Sequence, residues 1–186
     1  MSTAPRGARE RATVTTDGPE LVVTRTFDAP ADLVFEVMTT PEHVRRWWGA
    51  GHGEVTVCEI DLREGGAWHF AQRAGSSGEE VSFSGHYRTI ERPGHLVHTE
   101  RFDNLESPYS LVDTTYTESE GRTHLRAVIT YDSPETVQMV VESGMEGGLQ
   151  SSYDAVDDVL AELASRGRPA ADPPSPVVRR RTVTSR

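Results

Sequence analysis

The hydrophobic pattern changes period several times along the chain, and each change marks an element. Residues Leu21-Val22-Val23-Thr24-Arg25-Thr26-Phe27 are rich in β-branched and aromatic side chains and read as a strand. Over residues 31–38 the apolar positions Leu33, Val34, Val37 and Met38 fall on one helical face. Asp28 is the expected cap of that helix, with Pro30 in its first turn. Thr40-Pro41-Glu42 repeats the start signal, so a second short helix is predicted through Val44 to Trp48, closed by Gly49.

Strand patterning then takes over. Residues 54–61, 66–73, 80–91, 95–102, 109–119 and 123–131 form six short runs rich in Val, Thr, Tyr and Phe. Turn residues such as Gly65-Gly66, Arg92-Pro93-Gly94 and Glu120-Gly121 separate them. Consecutive strands with short connections predict an antiparallel meander. Val81, Phe83 and Gly85 share one face of their run, and Trp68 and Phe70 oppose Ala67, His69 and Ala71. Ser133-Pro134-Glu135 then starts a long helix, with a stripe through Val137, Val141, Met145, Leu149, Tyr153, Val156, Leu160 and Leu163. At ~1.5 Å per residue it would reach ~45 Å, enough to cross a whole sheet. Gly144, Gly147 and Gly148 interrupt it, which predicts a kink or the close approach of a backbone or bound group.

The order predicts an α+β fold: a seven-stranded curved antiparallel sheet, two short helices after its first strand, and one long C-terminal helix across the sheet. A curled sheet and a single helix leave space between them. The expected product is a deep cavity of the kind small ligands occupy.

Composition narrows the chemistry. The 186 residues carry a net charge of −10, and all 19 basic residues are Arg. Without lysine, Schiff-base and phosphate-loop mechanisms are excluded. One cysteine, Cys58, excludes an internal disulfide framework. Residues 1–19 hold three Arg against two acids, and residues 166–186 hold six Arg and one Asp, so residues 20–165 carry −16. Both flanks are expected to be disordered, the second as a Pro/Arg-rich tail. Its Arg179-Arg180-Arg181 could touch an acidic surface or simply be solvated. The acidic domain should not bind nucleic acid. No apolar run is long enough for a membrane span and the start lacks a secretory core, so a cytoplasmic protein is expected, monomeric or homodimeric.

Several stretches, in order, resemble the START-like or SRPBCC superfamily with its helix-grip fold, seen in the birch-pollen allergen. They are Phe27-Asp28-Ala29-Pro30 with Val34-Phe35, Trp47-Trp48-Gly49, and Asp61-Leu62-Arg63 with Gly65-Gly66 and Trp68. They continue with Gly85-His86-Tyr87-Arg88, Arg92-Pro93-Gly94-His95-Leu96-Val97, Ser143-Gly144-Met145 and Ser152-Tyr153. Within the superfamily the chain is most similar to the bacterial branch named after the C-terminal domain of the activator of the heat-shock protein's ATPase. The resemblance covers about residues 20–164 and implies a cavity for a small apolar or aromatic molecule. It transfers no fixed catalytic set and no cofactor. Some relatives are polyketide cyclases or aromatases, and others carry lipids.

The candidate ligand-binding residues are Trp47, Trp48, Trp68, Phe70, Phe83, His98, Glu100, Phe102, Tyr116, Met145, Leu149 and Tyr153. Adjacent Trp47 and Trp48 cannot both face one side of a helix, so one should be core and one near the cavity mouth. His98 and Glu100 share one strand face. A buried Glu100 without a positive partner would have a raised pKa and could act as an acid. The alternative is a salt bridge to Arg126 or Arg88. The histidines show no metal-ligand spacing, and no metal is expected. The leading function is a binding or sensor protein. The alternatives are a cofactor-independent cyclase, aromatase or lyase using Glu100 or His98, and a co-chaperone-like protein-binding module.

Overall fold

A computed structural model of the chain describes residues 9–75 and 77–166. The elements run β1 (Thr13–Asp17), β2 (Glu20–Phe27), α1 (Ala31–Thr39), α2 (Pro41–Trp47), β3 (Gly53–Ile60), β4 (Ala67–Ala74), β5 (Glu80–Glu91), β6 (His95–Phe102), β7 (Ser110–Ser119), β8 (Arg122–Thr130), α3 (Pro134–Glu142) and α4 (Met145–Arg166). The strands form one sheet in the order β1-β2-β8-β7-β6-β5-β4-β3, antiparallel throughout.

The sheet therefore has eight strands rather than seven. The extra one, β1, lies within residues 1–19, where disorder was expected. It pairs with β2 from Thr13↔Thr24 to Asp17↔Glu20, around the two-residue turn Gly18-Pro19. It is also clipped to α4: Gln150 Oε1 accepts the Ala12 N–H at 2.9 Å, and Arg9 pairs with Asp158. Residues 1–8 and 167–186, including nearly all of the expected Pro/Arg-rich tail, lie outside the described residues. Arg166 ends α4.

Alternation decides which face is buried. In β2, Leu21, Val23, Arg25 and Phe27 are buried, and the residues between them are half-buried. Arg25 and Phe27 reach α4, where Phe27 meets Tyr153 edge to face at 5.6 Å. Arg25 is the unexpected member. Its guanidinium reaches Asp157 at 2.5 Å and Asp154 at 3.4 Å, while Nε and Nη1 have no partner among the described residues. At the other end, Val34, Phe35 and Val37 of α1 and Val44 of α2 are fully enclosed.

The helix ends depart from the expected caps. Asp28 does not cap α1 but pairs with Arg122 at 2.7 Å. The first turn is instead served from across the fold, where Glu118 of β7 accepts the Ala31 N–H at 2.8 Å. Ser133 does cap α3, accepting from Thr136 N at 3.2 Å. The expected single C-terminal helix is two. α3 closes at Ser143, and Gly144 takes φ +80° before α4 begins. That left-handed conformation suits glycine, and the space beside it is open. Gly144→Ala should therefore cost about 1 kcal/mol through backbone strain alone, read from the urea midpoint at unchanged slope.

Candidate functional site

The space between sheet and α4 is a cavity of about 280 Å³. Every layer of the fold contributes to it. α1 and α2 supply Met38 and Trp47, with Trp48 just beyond, and α4 supplies Met145, Leu149, Ser152 and Tyr153. The sheet supplies the floor in rows fixed by its register. One row runs Tyr87, His98, Val112, Ile129 across β5, β6, β7 and β8. The next runs Leu96, Thr114, Ala127, Val23 across β6, β7, β8 and β2. A larger hollow of about 420 Å³, bordered by Gly65, His86, Tyr87 and Arg88, is open to solvent and offers a ligand little enclosure.

Ten of the twelve expected residues border this cavity: Trp47, Trp48, Trp68, Phe70, His98, Glu100, Tyr116, Met145, Leu149 and Tyr153. Phe83 and Phe102 do not. They pack on each other at 5.1 Å, with Phe83 against Trp48 at 6.0 Å, and so back the wall from outside. The tryptophans divide as their adjacency requires. Trp47 is buried and its Nε1 donates to the Val37 carbonyl at 2.9 Å, tying α2 to α1. Trp48 is half-buried and meets Phe70 edge-on at 5.6 Å. Val23, Thr114, Ala127, Ile129 and Tyr131 also line the space, without having been singled out. Their strand alternation carried the signal, but small and β-branched side chains read as ordinary core.

Trp68 is held in place by an absence. Its cross-strand partner is Gly85, and the indole lies over that glycine so that Nε1 donates to the Thr99 carbonyl at 3.1 Å. His98 packs edge-on against Trp68 at 5.5 Å and near Tyr87 at 6.2 Å. Its Nδ1 has no hydrogen-bond partner among the described residues. Burial in these aromatic surroundings pushes the imidazole down to about 4, so it is neutral at pH 7.

Glu100 lies two positions further along β6 on the same face. Arg88 and Arg126, the expected partners, are both exposed and form no ion pair with it. Its cross-strand partner on β7 is Ser110, whose hydroxyl donates to the Glu100 backbone carbonyl at 3.1 Å. The carboxyl itself has no hydrogen-bond donor among the described residues. Burial without compensation pushes it up to about 7. The phenols of Tyr87, Tyr116, Tyr131 and Tyr153 are also raised, chiefly by burial, and stay neutral. The cavity thus combines aromatic walls with one weakly acidic carboxyl, one weakly basic imidazole and several neutral hydroxyls.

The sequence profile of the family described as Activator of Hsp90 ATPase homolog 1-like protein matches residues 28–161. The chain belongs to this family. The helix-grip-like fold expected from the START-like resemblance is the one observed. Among solved structures, a Mycobacterium smegmatis protein is similar at 26% identity and a TM-score of 0.72, covering 80% of this chain and 96% of that one. An Arthrobacter aurescens protein is similar at 25% identity and a TM-score of 0.72, covering 81% and 91%. A Rhodobacter sphaeroides protein at 24% identity shares the fold with a TM-score of 0.77, covering 83% and 100%. No curated protein matches the chain. Among the described residues, no helix is long and apolar enough to cross a membrane.

Proposed function

We propose that the chain binds a small, largely aromatic molecule between its sheet and α4. The observation that carries this reading is a cavity of about 280 Å³ between sheet and helix, walled by three tryptophans and lined by few polar groups. A dry cavity of roughly 150 Å³ accepts benzene, so this volume corresponds to a body of about two fused rings. Isothermal calorimetry with 1-naphthylmethanol should show one site per chain. Leu149→Trp, which places an indole in the space from α4, should weaken binding by at least about tenfold, the equivalent of about 1.4 kcal/mol. Unchanged affinity in that variant would place the ligand elsewhere and sink the proposal.

One observation favours a second reading, that of a cofactor-independent cyclase or aromatase. Glu100, held near neutrality, and neutral His98 face the same apolar space, an arrangement suited to giving and taking a proton. Recovery of a polyketide-like substrate unchanged after prolonged incubation would count against it.

A further inference from the structure

The charges around the cavity are lopsided. The chain contains no lysine, and among the described residues no arginine borders the space. Arg25, the cation buried on this face of the sheet, is turned under α4 and occupied by Asp154 and Asp157. The carboxyl group of Glu100 therefore meets no positive partner among the described residues. On its β7 side the small Ser110 is spent on a backbone carbonyl, which leaves the carboxyl open to whatever fills the cavity. The same cavity is lined by the rings of Trp48, Trp68, Phe70, Tyr131 and Tyr153, of which Tyr131 and Tyr153 lie within electrostatic reach of Glu100, and the π faces of such rings attract cations.

We propose that the cavity selects organic cations: a compact aromatic body bearing one protonated amine, with the ammonium seated against Glu100 and the surrounding rings. This rests on the reading of the cavity as a small-molecule site, and it names the ligand class. An amine satisfies the lone carboxyl with a charge-assisted hydrogen bond. A carboxylate or phosphate ligand would place a second negative charge beside Glu100 with no cation to offset it. The −16 carried by residues 20–165 acts in the same direction, drawing cations toward the domain and repelling anions.

The titratable groups that share the cavity with Glu100 are His98 on its own strand, Tyr87 on β5, Tyr116 on β7, Tyr131 after β8 and Tyr153 on α4, and all are neutral near pH 6.5. The empty site holds Glu100 largely as the acid at that pH. When an ammonium binds, the carboxyl O–H proton leaves to solvent, and the carboxylate pairs with the ligand's N–H. The amine keeps its own proton, so binding releases protons and strengthens as pH rises toward 8.

The test compares three ligands of one shape: 1-naphthylmethylamine, 1-naphthylmethanol and 1-naphthoate, by calorimetry on the full chain at pH 6.5 and 8. The amine should bind at least about tenfold tighter than the alcohol at pH 8, and the carboxylate at least about tenfold weaker. Amine binding at pH 6.5 should release protons, seen as a heat that varies with the buffer's ionisation enthalpy. Glu100→Gln should abolish both the preference and the proton release. If the alcohol binds as well as the amine, the cation proposal fails and the aromatic-ligand reading stands. If none of the three binds, the reading of the cavity fails and takes the proposal with it. A preference that survives in Glu100→Gln would overturn the role of Glu100. Should that variant not fold, the buffer dependence of the unmodified chain decides: no proton release refutes the proposal.

Discussion

Glu100→Gln is expected to be more stable than the unmodified chain by about 3 kcal/mol at pH 8, and by almost nothing at pH 4. The reason is proton linkage. In the unfolded chain this carboxyl titrates at its ordinary value of 4.5, whereas the folded protein holds it near 7. Between these values the folded state binds more protons, so stability falls as pH rises. At 1.36 kcal/mol per pH unit, that interval is worth about 3 kcal/mol. His98 works in the opposite sense. Its folded value near 4 lies below the ordinary 6.5, so stability falls as pH drops through that interval. From pH 4.5 to 6.5 the two slopes nearly cancel in the unmodified chain. Each single variant uncovers the slope of the residue that remains: Glu100→Gln leaves stability rising from pH 4 to 6.5, and His98→Phe leaves it falling from 4.5 to 7. Urea unfolding at half-unit pH intervals would show this. Parallel curves for Glu100→Gln and the unmodified chain would mean that the carboxyl is well solvated.

Gly85→Ala, a change of one methyl group, should cost about 3–4 kcal/mol. A Cβ at this position would lie 1.7 Å from the Thr99 carbonyl oxygen and 2.7 Å from the Trp68 indole nitrogen. The first contact is with backbone, so it cannot be relieved by a rotamer change. Either β5 and β6 separate locally, or the indole leaves its place and its Nε1–Thr99 hydrogen bond is lost. Overpacking of this kind costs about 1–3 kcal/mol, and an unpaired buried donor adds about 1–3 more. Gly147→Ala is the matched control. It sits in α4 with nothing within 4 Å of its added methyl, and it should stabilise by up to about 1 kcal/mol. Urea midpoints measure both changes, and the near-ultraviolet circular dichroism of Trp68 should drop only in the first. A Gly85→Ala variant within 1 kcal/mol of the unmodified chain would refute the stacking of the indole over the glycine.

The sheet was legible where side chains alternate strongly. β5 and β6 appear at their expected bounds, and β4 is offset by one residue, because Trp68, Phe70 and Phe83 contrast sharply with their neighbours. β1 escaped notice because Thr-Val-Thr-Thr-Asp carries a single apolar residue, which an edge strand needs only for contact with its one neighbour. The Asp17-Gly18 pair was its turn signal. The break before α4 was announced by the glycines, but not which of them would turn the chain. In the site, period-two spacing put His98 and Glu100 on one strand face, and the structure turns that face toward the cavity. The spacing could not show that Arg88 and Arg126 point away from the carboxyl, since that depends on register between strands far apart in sequence.

The position of β1 bears on solubility. Without a neighbour on that side, the free N–H and C=O groups of β2 would offer a template for another chain. A short, threonine-rich strand ending in aspartate takes that place and shows the solvent a rim poor in hydrophobic side chains. The segment that adds least to the interior thus replaces a long edge with a short one, which gives a second chain less to pair with.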